Sequence, residues 1–186
     1  SNNTLTGNNL AGVMQGLGGA DIFWASGGND TLEGGLGGDT LHGGTGVDHL
    51  RAVDNLTALD SATDNFVFDT TPNAVTNYDY IDWASFVPGE TGTNDDQILL
   101  DHLIFGDLIS SASTDTGTLH TNYFKGGAGL TGNALQDTVG IYQNTSNGNL
   151  YYNPTEGVAG DSVLFAVLMP GAGGATVLGA EEFTLV

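Results

Sequence analysis

A nine-residue repeat near the amino terminus constrains this chain more than any other feature of its sequence. Residues 16–51 divide into four successive nonapeptides, and the last two match the pattern GGxGxDxUx, where U is apolar, at every position. One apolar side chain in nine residues cannot build a core alone, so the units must stack on one another. Each unit has an aspartate at its sixth position and an apolar residue at its eighth: Asp21, Asp30, Asp39 and Asp48 precede Phe23, Leu32, Leu41 and Leu50.

The spacing of the repeat predicts an all-β structure of stacked coils. Three residues of strand follow each six-residue turn, and glycines at the first, second and fourth positions suit turns that need positive φ. If one strand and one turn make half a coil, Asp21 stacks on Asp39, and Asp30 on Asp48. Each pair would bring two carboxylates and several backbone carbonyls together, an all-oxygen environment that suits calcium better than magnesium. Glu33, at a ninth position outside the turn, is expected to be a solvated charge.

The charge balance also favours a cation as partner. The chain has 22 acidic residues against two basic ones, Arg51 and Lys125, and a formal net charge of -20. Such a charge opposes binding to nucleic acid, and no apolar run is long enough for a membrane span, so we expect no nucleic acid and no membrane insertion. The absence of cysteine excludes disulfides and thiolate metal sites.

The tandem nonapeptides resemble the RTX, or haemolysin-type calcium-binding, family, whose repeats form a parallel β-roll with calcium held between turns. By position, the first turn of a site supplies the carbonyls of its first and third residues, and the turn one coil later supplies those of its second and fourth. Each turn also supplies its aspartate, and several calcium ions are expected. The resemblance implies one ion among Gly16, Gly18, Asp21, Gly35, Gly37 and Asp39, and a second among Ala25, Gly27, Asp30, Gly44, Gly46 and Asp48.

Several positions depart from the repeat pattern. Leu17, Ala25 and Ser26 stand where the pattern has glycine, and Gly12 occupies the aspartate position of the preceding unit. The departure at Gly12 counts against a site between that unit and Asp30.

Acidic residues after the repeats supply further candidate ligands. Residues 59–67 resemble a final degenerate repeat, which adds Asp64 as a ligand. Asp82 and Asp96 match acidic positions that follow the repeats in the RTX family, and the resemblance predicts that they clamp another calcium ion across two strands. The alternative is that Asp95 and Asp96 only solvate a loop.

The rest of the sequence predicts a β-rich cap. Apolar runs between residues 75 and 100, the alternation of residues 139–152 around Asn147-Gly148, and the apolar run at 161–169 predict strands and a hairpin. This part is similar to the region that packs against the end of the roll in RTX proteins. An uncapped last coil would expose an unpaired edge. We therefore divide the chain into a β-roll, residues 1–69, and a carboxy-terminal cap, residues 70–186.

The chain ends with acidic residues followed by apolar ones, from Leu178 to Val186. Similar endings occur in substrates of type I secretion, where an ABC transporter reads an uncleaved carboxy-terminal signal; the alternative is an ordinary final strand. Taken with the repeats, the resemblance implies a calcium-binding module that folds outside the cell and carries the secretion signal of a larger secreted bacterial protein.

Catalytic motifs do not stand out. The four histidines have no zinc-site spacing, and the serines form no GxSxG elbow, so we expect no enzymatic activity. The alternative function is a calcium-dependent module that binds a cell-surface or polysaccharide ligand. Its aromatic side chains Trp24, Trp83, Tyr151 and Tyr152 would then stack on sugar rings, although packing in the core or cap explains them more simply.

Overall fold

The computed structural model describes residues 1–52, 62–82, 96–108, 117–169 and 178–186, which form fifteen strands in two sheets. Among these residues, no helix is long and apolar enough to cross a membrane. Short 3₁₀ helices lie at Gly106–Leu108, Thr121–Tyr123 and Ala180–Glu182. The strands are β1 (Thr4–Asn8), β2 (Val13–Gln15), β3 (Ile22–Ser26), β4 (Thr31–Glu33), β5 (Thr40–His42), β6 (His49–Arg51), β7 (Asn65–Phe68), β8 (Asp79–Asp82), β9 (Gln97–Leu100), β10 (Gly117–Thr118), β11 (Phe124–Gly127), β12 (Gly140–Asn144), β13 (Asn149–Asn153), β14 (Val163–Met169) and β15 (Phe183–Leu185).

The first nine strands alternate between the two sheets. The odd-numbered strands β1 to β9 are parallel neighbours in sheet A, and the even-numbered strands β2 to β8 are parallel neighbours in sheet B. Each coil therefore contributes one strand to each sheet, as a half-coil of nine residues requires. The predicted parallel β-roll is confirmed.

The apolar eighth residues of the repeats form the interior of the roll. Each lies directly against its counterpart one coil away, and burying such a side chain contributes about 1.5–3 kcal/mol. Strands beyond the repeats continue both rows. The inward rows are Leu5, Phe23, Leu41, Phe66, Ile98 and Phe183 in sheet A, and Met14, Leu32, Leu50, Ile81 and Leu168 in sheet B.

The turns of the roll adopt the left-handed backbone that the glycine pattern predicts. In the fourth nonapeptide, φ is 87° at Gly44 and 139° at Gly46. Leu17 and Ser26 replace glycine at the second position and nevertheless have φ of 70° and 81°. The left-handed conformation costs a residue with a Cβ about 1–2 kcal/mol. The stacking of the coils therefore imposes the turn conformation even where the sequence lacks glycine.

The carboxy-terminal part extends both sheets of the roll. Strand β14 pairs in parallel with β8 in sheet B, and β15 pairs in parallel with β9 in sheet A. The predicted hairpin is confirmed in the antiparallel pair β12 and β13, whose turn contains Gly148 with φ of 79°. Sheet pairing is thus continuous across residue 70, and the strands of the last coil are covered.

Candidate metal centre

A row of buried aspartates, here called row A, runs along one side of the roll. The backbone N–H of Asp21 donates to Oδ1 of Asp39 at 2.7 Å, and that of Asp39 donates to Oδ1 of Asp64 at 2.7 Å. The N–H of Asp64 in turn donates to Oδ1 of Asp96 at 2.9 Å. Each of these four aspartates immediately precedes a strand of sheet A. Row A therefore brings together four of the carboxylates that the sequence singled out.

A second row, row B, lies on the other side of the roll. The backbone N–H of Asp30 donates to Oδ1 of Asp48 at 2.7 Å, and that of Asp48 donates to Oδ1 of Asp79 at 3.0 Å. All three side chains are buried. The first coil has Gly12 instead of an aspartate at this position of the row. The N–H of Gly12 still donates to Oδ1 of Asp30, at 2.7 Å.

The second carboxylate oxygen of several of these residues has no hydrogen-bond partner. Oδ2 of Asp21, Asp30 and Asp48 is buried and accepts no hydrogen bond within the described part of the chain. A buried ionised oxygen is costly unless a donor or a cation compensates it. These oxygens are therefore suited to binding a cation rather than to a hydrogen-bond network within the protein.

The two basic side chains of the protein are engaged elsewhere. Arg51 lies on the outer face of sheet B, where its Nε donates to Asp82 at 3.1 Å and one terminal nitrogen donates to Glu33 at 3.2 Å. Lys125 lies in the carboxy-terminal part and donates to Oγ1 of Thr138 at 2.6 Å. The charge of the aspartate rows must accordingly be balanced from solution.

Burial and mutual repulsion disfavour the ionised form of the row B aspartates in the metal-free protein. Burial raises the pKa of Asp48 to about 6, and the nearby charge of Asp30 adds to the increase. Burial likewise raises the pKa of Asp30. For Asp79, burial first and the charge of Asp48 second hold the pKa well above its usual range. A bound cation would reverse each of these effects.

The hydrogen bonds between turns spare the carbonyls that the RTX resemblance assigns to calcium. The N–H of Leu36 donates to the carbonyl of Leu17 at 3.1 Å, and the N–H of Gly19 donates back to the carbonyl of Leu36 at 2.7 Å. On the other side, the N–H of Thr45 donates to the carbonyl of Ser26 at 3.0 Å. These bonds use the carbonyl of the second residue in one turn and the carbonyl of the third residue in the turn one coil later. The carbonyls assigned to calcium are different: those of the first and third residues in the earlier turn, and those of the second and fourth residues in the later turn.

Some assigned carbonyls also accept a hydrogen bond within the protein. The carbonyl of Gly16 accepts from the N–H of Gly18 at 2.9 Å, and that of Gly44 accepts from Oγ1 of Thr70 at 2.8 Å. The amino terminus donates to the carbonyl of Gly18. Since a carbonyl oxygen has two lone pairs, one hydrogen bond does not prevent it from binding a metal ion.

Glycine at the first repeat position leaves room for the carboxylate of its own turn. A Cβ added to Gly43 would lie 2.6 Å from Oδ2 of Asp48, and one added to Gly16 would lie 2.5 Å from Oδ2 of Asp21. Both distances are far shorter than a van der Waals contact. At Gly16 and Gly43 the missing side chain therefore leaves room for the carboxylate, independently of φ, whereas the second unit has Ala25 at this position.

We expect Gly43→Ala to raise the calcium concentration at half-saturation by about tenfold or more, because the new methyl group displaces an acidic ligand from its site. Calcium titration followed by circular dichroism measures the effect. Gly106→Ala is the matched control, since a Cβ at Gly106 meets nothing within 4 Å. Equal midpoints for the two variants would contradict the assigned position of the Asp48 carboxylate.

Row B continues with Asp79, whereas the resemblance singled out Asp82 in this segment and paired it with Asp96. Asp82 instead lies three residues further along β8, on the outer face beside Arg51. The predicted clamp between Asp82 and Asp96 is not found, because β8 belongs to sheet B while Asp96 directly precedes β9 of sheet A. Asp95, named in the alternative reading, lies outside the described residues.

A short sequence signal would have identified Asp79. In every repeat, the aspartate is followed two positions later by the inward apolar residue. The same spacing of aspartate and apolar residue occurs at residues 64–66, 79–81 and 96–98. Asp79 satisfies it through Ile81, whereas Asp82 does not belong to the inward pattern.

Glu33 differs from the free solvated charge that its repeat position predicts. Its carboxylate accepts hydrogen bonds from Nε2 of Gln15 and from Arg51, whose Nε reaches Asp82. These four residues form a polar row on the outer face of sheet B. Exposed ion pairs of this kind contribute about 0–1 kcal/mol, so the row is a surface feature rather than a metal site.

The comparisons with known proteins agree with this geometry. Residues 6–41 and 15–50 match the family model of the RTX calcium-binding nonapeptide repeat, in four copies. A search of curated proteins gives no match. Within the described ranges, no group of three or more His, Cys, Asp or Glu side chains lies close enough together to hold a metal ion. Residues 6–50 of this chain are therefore RTX calcium-binding nonapeptide repeats.

Proposed function

We propose that this chain is a calcium-binding RTX module whose roll folds when calcium binds outside the cell. The observation that carries the proposal is the pair of aspartate rows, in which buried oxygens of Asp21, Asp30 and Asp48 have no partner. Calcium would supply the positive charge that the rows need. Because extracellular calcium modules commonly bind in the range of about 10⁻⁴–10⁻³ M, the chain would stay unfolded at cytosolic calcium levels and fold after export.

The proposed ligands follow the two rows. Row A would hold one ion through Gly16, Gly18, Asp21, Gly35, Gly37 and Asp39, and row B would hold another through Ala25, Gly27, Asp30, Gly44, Gly46 and Asp48. We propose that Asp64 and Asp96 extend row A to further ions. We also propose that Asp79 extends row B, in place of the expected ion between Asp82 and Asp96. We retain the division into a roll, residues 1–69, and a carboxy-terminal part, residues 70–186, as part of this proposal.

The response to pH should have opposite signs with and without calcium. The pKa of Asp48 rises from 3.8 to about 6 in the metal-free fold, so this fold binds protons more tightly than the unfolded chain between those values. Without calcium, lowering the pH from about 7 to about 5 should therefore stabilise the fold, by roughly 1 kcal/mol from Asp48 alone. With calcium, the same change should weaken it, since protons displace the ion.

The β signal in circular dichroism at both pH values, in chelator and in excess calcium, measures this prediction, since it reports how much of the chain is folded in each solution. A change of the same sign in both solutions would contradict the proposed role of row B. Acidic residues outside the two rows serve as an internal reference. They titrate in the same way with and without calcium, so they contribute a change of the same sign to both measurements.

We also propose that the carboxy terminus carries a type I secretion signal of a larger secreted protein. RTX repeats occur in secreted bacterial proteins, which supports this reading. The tail has a structural role as well, because Phe183–Leu185 forms β15 between β9 and β10, and Phe183 is fully buried. Removing the tail would thus affect both export and the folded state.

Deleting residues 181–186 from the full-length protein should abolish most of its secretion, because the transporter would lose an address that is readable in the unfolded chain. The secreted fraction of the culture measures the effect. Leu100→Ser is the control, since Leu100 pairs with Leu185 and is buried, but lies outside the tail. If both variants lose secretion equally, folding of the sheet rather than the tail sequence limits export.

Ligand binding is the second candidate function, because the carboxy-terminal part contains a polar cavity of about 480 Å³. Tyr152 donates its hydroxyl hydrogen bond to Asp107 at 3.0 Å, which fixes one carboxylate of the cavity. Such groups bind sugar hydroxyls and stack on sugar rings. A glycan array probed with calcium and with chelator tests this candidate. The lining residues are Asp107, His120, Asn122, Tyr123, Thr138, Val139 and Glu156.

The aromatic residues named for ligand stacking have different environments. Tyr152 is buried, Tyr151 is half-buried, and Trp83 lies outside the described residues. Trp24 is 44% exposed and stacks on His42 at 3.6 Å between ring centroids. Only Trp24 is thus both described and widely exposed among the four. We propose that the chain has no enzymatic activity of its own.

A further inference from the structure

One aspartate outside the roll has the same unusual feature as the aspartates of the two rows. Both carboxylate oxygens of Asp161 are buried, and neither accepts a hydrogen bond from any described residue. In the rows, Asp21, Asp30 and Asp48 each have one such oxygen, whereas Asp161 has two. A buried carboxylate with neither donor nor cation is strongly disfavoured, so this group requires a partner that is not a protein side chain.

Asp161 lies where two loops of the carboxy-terminal part are fastened together. The next residue, Ser162, donates its N–H to Oδ1 of Asn133 at 3.1 Å and its hydroxyl to the carbonyl of Thr131 at 2.5 Å. Nearby, Nδ2 of Asn153 donates to the carbonyl of Gly132 at 2.9 Å. These bonds hold the loop before β14 against residues 131–133. The position of Asp161 is therefore fixed by its neighbours rather than by bonds of its own.

No cationic side chain of the protein is positioned to neutralise Asp161. The chain has two basic residues; Arg51 pairs with Glu33 and Asp82, and Lys125 donates to Thr138 and Tyr142. The amino terminus donates to a turn of the roll. The charge on Asp161 can therefore be balanced only by an ion or a proton from solution.

We propose that Asp161 is the acidic ligand of a calcium site in the carboxy-terminal part, separate from the roll. A carboxylate with two available oxygens can bind calcium in the bidentate manner, and backbone and amide oxygens of the two fastened loops would complete an all-oxygen site. Calcium tolerates such irregular neutral ligands, whereas magnesium requires near-ideal octahedral geometry. The ion would fix the loop before β14, the strand that covers β8 of the roll.

The site should bind more weakly than the roll sites. Each proposed roll site combines two carboxylates, while Asp161 is the one acidic side chain proposed for its own site. Since affinity for calcium rises with the number of charged ligands, the Asp161 ion should bind last in a titration. Roll ions and the Asp161 ion can therefore be counted separately.

The test is the number of calcium ions bound by residues 1–186, measured by equilibrium dialysis with calcium alone. Asp161→Asn should bind one ion fewer than the natural sequence at saturating calcium, with an unchanged midpoint for roll folding. Glu33→Gln removes the same charge from the outer face of sheet B, where Glu33 contacts Arg51, and should keep the full number. The roll ions remain in every variant, so failure of this site leaves the proposed function of the repeats intact.

An equal number of ions in Asp161→Asn and the natural sequence would overturn the site and leave water or a proton as the partner of Asp161. A crystal structure with calcium provides a second measurement, which does not depend on how the variant folds. It should show an ion about 2.3–2.6 Å from both oxygens of Asp161. An ordered water at hydrogen-bond distance in that position would refute the proposal.

Discussion

Removal of calcium should unfold the β-roll almost completely. With a net charge of -20 and two rows of buried aspartates, the metal-free fold concentrates like charges in a site of low polarity. Structural metal sites commonly supply much of the free energy of folding, and the inward row of each sheet depends on the turns being closed. Far-ultraviolet circular dichroism in chelator should therefore lose most of the β signal, and millimolar calcium should restore it.

Magnesium at the same concentration is the control for this experiment. It would screen the net charge to a similar extent, but it prefers a tight octahedral shell and should not restore the roll. Trp24 gives a second readout, because it lies in β3 and stacks on His42 only when neighbouring coils are in register. A β spectrum that is unchanged in chelator, or equally restored by magnesium, would contradict calcium-driven folding.

The repeat period allowed much of the roll to be predicted from the sequence. A fixed spacing of nine residues determines which strands share a sheet, and it predicts that Asp21 lies against Asp39 and Asp30 against Asp48. Hydrogen bonds at the same offset of 18 residues connect both pairs in the structure. Leu17 and Ser26 show that the period is more informative than residue type, because both adopt the glycine-like turn.

The part after the repeats was harder to predict because its spacing changes. The offset between row members is 25 residues from Asp39 to Asp64 and 31 residues from Asp48 to Asp79. Motif resemblance alone assigned Asp82, which is only three positions away, to the metal site. The register of β8 is decided by Ile81, whose side chain points inward. A shift of one residue would turn each side chain of the strand to the other face. The pairing of β14 and β15 with the roll depends on contacts distant in sequence.

Asp39 should be the most sensitive single position of row A. It is fully buried, its Oδ1 accepts from the N–H of Asp21, and its own N–H donates to Asp64. An interior member of the row has a turn on either side, so it can serve two ions. Its substitution therefore removes a charged ligand from two sites, whereas a terminal member affects one.

Two substitutions at Asp39 separate its hydrogen bond from its charge. Asp39→Asn keeps an oxygen that can accept from the N–H of Asp21 but loses the negative charge, so it should raise the calcium concentration at half-folding by about tenfold or more. Asp39→Ala also leaves that buried N–H without its acceptor, which should cost a further 1–3 kcal/mol or so. The alanine variant should therefore require clearly more calcium than the asparagine variant.

Glu33→Gln is the matched control, because it removes the same charge from the outer face of sheet B, where Glu33 contacts Arg51 and Gln15. Its loss should change stability by about 1 kcal/mol or less, with little effect on the calcium midpoint. Calcium titrations of the three variants by circular dichroism provide the comparison. If Asp39→Asn and Glu33→Gln shift the midpoint equally, only the net charge of the chain matters, and the assignment of row A to calcium would be refuted.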